Sequence, residues 1–206
     1  MDGAERSYGG RTPSERRAER RDRILGAGLE LFGTEGYRAT SIEKLCAAAG
    51  VSTRNFYEEF SGRDALLIAV HDKVMTAISD ASAAAFEAEQ DRPSSEAAES
   101  ALTAYISTAF ADPRWARIAF VEVLGVGPAV EEHRLAWRDK RCAAFLAMVR
   151  RFVERGDAID RDYGLTAIAF VGAFNELVYE WALRGSDMPI DTVVAELRRL
   201  LGALVA

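Results

Sequence analysis

The sequence predicts an all-α protein of about nine helices, and three observations carry that reading. Apolar residues recur at spacings of three and four along most of the chain, and no stretch alternates apolar and polar residues as a half-buried strand would. Prolines number only 5, and they stand between the periodic runs rather than inside them. The composition is rich in Ala, Leu, Glu and Arg, the residues that lose least on entering a helix. At 206 residues, with 49% hydrophobic and 28% charged side chains, the chain is long enough for a sizeable core.

Residues 1–13, MDGAERSYGGRTP, lack periodicity and read as a disordered tail. A first helix is expected from Ser14 to about Gly33, with Ile24, Ala27, Leu31 and Phe32 on its buried side and arginines opposite. Gly36 then supplies a positive-φ stop. A second helix is expected to begin at Thr40, with Thr40-Ser41-Ile42-Glu43 as its capping box and Gly50 as its end. A short third helix spans Ser52–Phe60, anchored by Val51, Phe56 and Phe60. Ser61 and Asp64 are expected to cap a long fourth helix, Arg63 to about Glu89, striped by Leu67, Val70, Val74, Ile78 and Ala81.

A fifth helix follows Pro93-Ser94 and runs to Phe110; a sixth starts at Asp112-Pro113-Arg114 and reads to Leu124, where Gly125 to Pro128 break it. The seventh runs from about Ala129 to Glu154, with Gly156 beyond it. Asp160 to Asp162 precede the eighth, Tyr163–Arg184. A turn over Gly185–Pro189 leads to the ninth, from Ile190 to the end, with Val193, Val194, Leu197, Leu200, Leu201 and Leu204 on one side.

The second and third helices, joined by AAGVS, have the form of a helix-turn-helix backed by the first. The anchors hold the short third helix against that three-helix core, which a seven- to nine-residue helix needs. Its free face carries Thr53, Arg54 and Asn55. Arginine can hold guanine bidentately and asparagine can hold adenine, so these residue types suit base edges in a major groove. Tyr57, Thr40 and Ser41 offer hydroxyls for phosphates, and Arg63 adds a cation beside a helix start.

TSIEKLCAAAGVSTRNFYEEFSGRDALL resembles the DNA-binding signature of the tetracycline-repressor (TetR) family of bacterial transcriptional regulators. The matching parts are the LFGTEGYRATS lead-in, the AAGVS turn, the FY-x-x-F helix and the R-x-x-LL start of the fourth helix, over roughly residues 20–68. The remaining two-thirds match in length, helicity and order. The resemblance implies a helix-turn-helix DNA-binding domain over 14–66 and a ligand-binding and dimerisation domain over 67–206. It implies a homodimer through the eighth and ninth helices, binding a palindromic double-stranded DNA operator. It also implies a small-molecule effector that releases DNA through the fourth helix, which is a repressor's behaviour. By position, Thr53, Arg54 and Asn55 would read bases, and Thr40, Ser41, Ser52, Tyr57 and Arg63 would meet backbone. The alternative is a helical small-molecule-binding protein with little or no sequence-specific DNA binding. Glu58 and Glu59 motivate it, because members of the family commonly carry a basic or histidine residue there.

Charge distribution bears on both readings. The net charge is −6, all of it from residues 66–206, while Arg6 to Arg23 holds seven arginines against Glu15, Glu19 and Asp22. That run reads as a solvated tail or as a phosphate-seeking arm.

Candidates for a ligand pocket are Tyr105, Phe110, Trp115, Phe120, Trp137, Phe145, Phe170 and Phe174, with Glu122, Arg141 and Asn175 as polar partners. Glu122 is either a surface residue or a buried anchor, and His133, after Glu131-Glu132, is expected to be solvated. Catalytic and metal motifs are missing: His71 and His133 are the only histidines, with no His-Glu-x-x-His, Cys-x-x-Cys or Gly-x-Ser-x-Gly, so neither an enzyme nor a metal or cofactor site is expected. Cys46 and Cys142 suggest no disulfide framework. No apolar run reaches membrane-span length and no signal-peptide core is present, so a cytoplasmic location is the expectation.

Overall fold

The first helix is set by its cap. In the computed structural model, which describes residues 12–184 and 189–205, Thr12 Oγ1 accepts from Glu15 N at 3.2 Å, and the Glu15 carboxylate accepts from Thr12 N at 2.6 Å. This reciprocal box starts α1 at Pro13, with Pro13 in the first turn where its missing N–H costs nothing, and α1 runs Pro13–Thr34. Thr12 and Pro13 therefore belong to the helix and not to the expected tail, whose residues 1–11 lie outside the described ones.

The second helix differs at its start. Thr40 is fully buried and its hydroxyl donates to the Gly36 carbonyl at 2.8 Å, fastening the turn after α1. Ser41 is the cap instead, its Oγ accepting from Lys44 N, and α2 is Ile42–Ala49. Gly50 closes α2 in the left-handed region at φ 61°. Ser52 caps α3, Thr53–Glu59, by accepting from Asn55 N. Ser61 does not cap α4, Arg63–Ala88; Gly62 stands at that position with no side-chain bond, and Asp64 takes the Tyr37 hydroxyl instead.

Past α4 come α5, Ser94–Phe110, and a short α6, Pro113–Arg117. The expected single helix from Asp112 to Leu124 widens at Ile118–Glu122 into one π-helical turn, a wider coil that re-aims its side chains. Then follow α7, Pro128–Glu154, α8, Gly164–Arg184, and α9, Ile190–Val205. Asp162 accepts from Gly164 N at 2.8 Å at the start of α8. The expected turn over 185–189 falls outside the described residues apart from Pro189, as does the side chain of Ile190.

The core is one continuous cluster. It runs from Ile24, Phe32 and Phe56 in the N-terminal three helices, through Leu66, Leu67 and Val74 of α4, to Phe174, Val178 and Leu197 near the C-terminus. The α4 stripe is the spine of both parts: α4 packs along α5 and also touches α1, α7 and the π turn. α6 and the π turn lie between α1 and α8, so the C-terminal helices meet the N-terminal three by this route as well as through α4. No helix among the described residues is long and apolar enough to cross a membrane.

Candidate nucleic-acid interface and effector cavity

α3 is pinned by one face. Phe56 is fully buried, Phe60 nearly so, and their rings sit 6.0 Å apart over the three-helix core. Holding that face inward leaves Thr53 and Arg54 exposed, Asn55 partly exposed, and Tyr57 54% exposed. The Arg54 side chain is 89% exposed, with Nε 3.3 Å from Glu58 one turn on. The capping Ser52 is exposed and Ser41 is partly exposed, so both cap hydroxyls sit at the edge of the same surface.

The two carboxylates of α3 differ. Glu59 is 1% exposed and clamped by α1: Arg20 Nη2 lies 2.6 Å and Arg17 Nε 3.2 Å from its oxygens, while Arg21 Nη1 donates to its backbone carbonyl. Burial pushes the Glu59 pKa up, but the hydrogen bonds from Arg20 and Arg17 outweigh it and hold the carboxyl below its ordinary value. Glu59 is thus a structural anion that docks α1 on α3. Glu58 is half-exposed and balanced by Arg54 and Arg20. The described arginines of the N-terminal run are therefore committed in part to this joint, and Arg23 adds a bond to the Gly50 carbonyl.

Two expected backbone-facing residues sit elsewhere. Thr40 is buried, as above, and presents no hydroxyl to solvent. Arg63 folds back: its Nη1 donates to the Thr40 carbonyl at 2.6 Å and the Tyr37 carbonyl at 3.2 Å, and its guanidinium lies over the Tyr37 ring. It braces the turn before α2.

The second feature is a half-open cavity of about 490 Å³ lined by α4, α5, α7, α8 and α9. Of the residues expected to line a pocket, Tyr105, Trp137, Arg141, Phe145, Phe170 and Phe174 line this one. Phe120 and Asn175 line a smaller neighbour of about 200 Å³, and Trp137 and Arg141 border both. Small side chains leave the larger space: Ser79, Ser82 and Ala83 on α4, Ala98 and Ala101 on α5, Ala144 and Ala147 on α7. Phe86, Leu102 and Met148 complete its apolar wall and were missed. The alanine-rich stretch of α4 was the signal for them, since small residues at helical spacing between packed helices leave room.

Three expected pocket residues line neither cavity. Phe110 packs edge-on against Trp181 at 4.4 Å, and Trp115 packs on the core. Glu122 is a buried anchor aimed the other way, at the head, where it accepts from Tyr37 N at 2.7 Å and from Arg117 Nε at 2.7 Å. His133 is only partly exposed: its Nε2 lies 3.1 Å from Nδ1 of the buried His71.

The comparisons with known proteins fit this geometry. Residues 24–70 match the model of the bacterial regulatory proteins of the tetR family. Over those residues the chain is similar to the helix-turn-helix region of tetR-family regulators. A curated relative, the uncharacterized HTH-type transcriptional regulator YerO of Bacillus subtilis (strain 168), is 34% identical over 50 residues; that match spans 24% of this chain and 17% of the relative. Over the full length the likeness is one of fold. FadR of Bacillus halodurans, a fatty acid degradation regulator, is 17% identical with a TM-score of 0.77, covering 94% of this chain and 96% of that one. FadR of Bacillus subtilis, solved with stearoyl-CoA, is 15% identical with a TM-score of 0.79, covering 90% and 99%.

The π turn joins the two features. Its Ala119 and Phe120 border the smaller cavity, while Glu122 at its end holds the Tyr37 amide beneath the helix-turn-helix. Gly36, at φ 93°, is packed against Arg117 and Glu122, and a side chain there would collide with them. Sequence reasoning missed this joint because its partners lie 85 residues apart.

Proposed function

We propose that the protein is a homodimeric repressor that binds a palindromic operator through one α3 per half-site and lets go when a small molecule fills the larger cavity. The single observation that carries it is the exposed Thr53, Arg54, Asn55 and Tyr57 set on a helix fixed from behind by Phe56. In this reading Thr53, Arg54 and Asn55 read bases, and Ser41, Ser52 and Tyr57 meet phosphates. Neutralisation of Glu59 by Arg17 and Arg20 favours it over a head that has lost DNA binding.

Dimerisation is supported by α8 and α9. The outward side of α8 carries Leu165, 84% exposed, and Ile168, 51% exposed, beside Ala169 and Gly172; α9 adds Ala195 and Gly202. Exposed leucine and isoleucine among small residues on the last two helices suit a self-complementary two-fold contact. The neighbour holding stearoyl-CoA supports an effector with an apolar body for this aromatic-walled cavity. Ligand shifts the heads only if it binds the DNA-incompetent arrangement better.

The test is selection of random double-stranded DNA on the purified protein at moderate salt, followed by sequencing. An enriched inverted repeat is the expected result. A folded, ligand-stripped dimer that enriches nothing would overturn the repressor reading in favour of a binding protein.

A further inference from the structure

We propose that the larger cavity takes an organic anion: a carboxylate on an apolar body, its head held by the guanidinium of Arg141 and the hydroxyl of Tyr105. This rests on the reading of the cavity as a ligand site and names the chemistry it selects.

Arg134, Arg138 and Arg151 on α7, and Arg155 just past its end, each hold a carboxylate. Among the described residues Arg141 has none; its Nη1 donates to the neutral Asn175 Oδ1 at 2.7 Å, and its buried Nε meets no acceptor. Nε and Nη2 form the side-on edge of a guanidinium. Arg134 uses that edge to clamp Glu131, Nε to one oxygen at 2.9 Å and Nη2 to the other at 2.6 Å. In Arg141 the Nε of that edge is unfilled, and the group that matches the edge in shape and charge is a carboxylate.

Tyr105 supplies the second donor. Its hydroxyl is buried without a hydrogen-bond partner, and its ring stands edge-on to Phe174 at 5.0 Å. Burial pushes its pKa up and outweighs the opposing charge and N–H groups of the adjacent Arg141, so the phenol keeps a proton to donate. Two unpartnered polar groups in the wall of one cavity are unusual in a native protein, where buried polar atoms are nearly always paired. A carboxylate satisfies both at once.

Charge and shape agree. The cavity wall carries Lys140, Arg141 and Arg151 against a single carboxylate, Glu87, which Arg151 already holds at 2.7 Å. The remaining wall is aromatic and aliphatic, from Phe86, Phe145 and Phe170 to Met148. A volume of about 490 Å³ suits one chain or ring body.

The test titrates the full-length protein, stripped by unfolding and refolding, with dodecanoate, dodecanol, dodecyltrimethylammonium and dodecanoyl-CoA, read by calorimetry. Dodecanoate is expected to bind on the order of tenfold tighter than dodecanol, because the charged pair replaces a neutral bond. Arg141→Met is expected to erase that preference by weakening dodecanoate far more than dodecanol, with circular dichroism showing that the variant is folded. Tyr105→Phe is expected to weaken dodecanoate a few-fold. Equal binding of acid and alcohol, a preference that survives Arg141→Met, binding of the CoA ester alone, or binding of none of the four would each overturn the inference. Recovery of an inverted repeat in the DNA selection alongside such a failure would leave the regulator reading standing.

Discussion

Arg20 Nη2 lies 2.6 Å from Glu59 Oε1, and Glu59 is closed off from solvent. This pair decides the electrostatics of α3. Without it, α3 would present two adjacent carboxylates to a polyanion. With it, one carboxylate is spent on joining α1 to α3, and the charge left on the surface is the Arg54–Glu58 couple.

Removing Arg20 leaves a buried carboxylate with only Arg17 to compensate it. Arg20→Ala is expected to destabilise the fold by roughly 1–3 kcal/mol, the cost of an underpaired buried charge. The effect depends on pH. The Glu59 pKa is held below its ordinary 4.5, so its contribution is present above that value and is lost as pH falls through the folded pKa. Urea unfolding at pH 7 should therefore separate wild type from variant, and the gap should shrink below pH 4.5; a constant gap would place the loss in packing instead.

Arg54 is the one cation of α3, and in the proposed reading it leaves Glu58 to reach a base. Arg54→Ala is expected to relax preference at one position of the operator by ~1–3 kcal/mol with little change elsewhere. Glu58→Gln should act in the opposite sense, strengthening binding uniformly, because it removes an exposed negative charge. Binding measured against a panel of single-base operator variants distinguishes them, and an Arg54→Ala profile that is flat across positions would remove Arg54 from base readout.

Leu165 and Ile168 are exposed in the protomer, so charging them should not disturb its core. The double change Leu165→Glu and Ile168→Glu is expected to give a folded monomer by sedimentation, with operator affinity falling by orders of magnitude as two half-sites become one. A variant that stays dimeric would move the interface off α8.

What was legible in the sequence was whatever a period or a cap writes locally. The α4 stripe of Leu67, Val70, Val74 and Ile78, the Phe56 anchor and the Gly50 stop all rest on spacings of a few residues. The caps went astray where two neighbouring residues could each serve. Thr40 and Ser41 are both good caps, and only the burial of Thr40 under the Gly36 turn decides between them. Long-range partners left no local trace: Glu59 with Arg17 and Arg20, Glu122 with Tyr37, and His133 with His71 are joined by the fold across 39 to 85 residues. The aromatic pocket residues were found in part because aromatics that line a cavity and those that fill a core share the same helical faces.

The His71–His133 pair carries the last prediction. Burial, with the charge of His133 next, lowers the His71 pKa from 6.5 to about 3, against a hydrogen bond to the Ala119 backbone. His133 is lowered too, mainly by burial. Above pH 6.5 His71 is neutral folded and unfolded, and its full contribution is present. Between 6.5 and about 3 the unfolded chain takes up a proton that the folded protein refuses, so stability falls as pH falls. At one pKa unit per ~1.4 kcal/mol, this group alone makes the protein about 2 kcal/mol less stable at pH 5 than at pH 7.5. His71→Gln removes the titration while keeping a polar side chain beside His133. It should flatten the stability profile between pH 7.5 and pH 5 even if it costs stability at both. Chemical denaturation at the two pH values reads this directly, and a slope equal to that of wild type would mean that His71 takes a proton in the folded state.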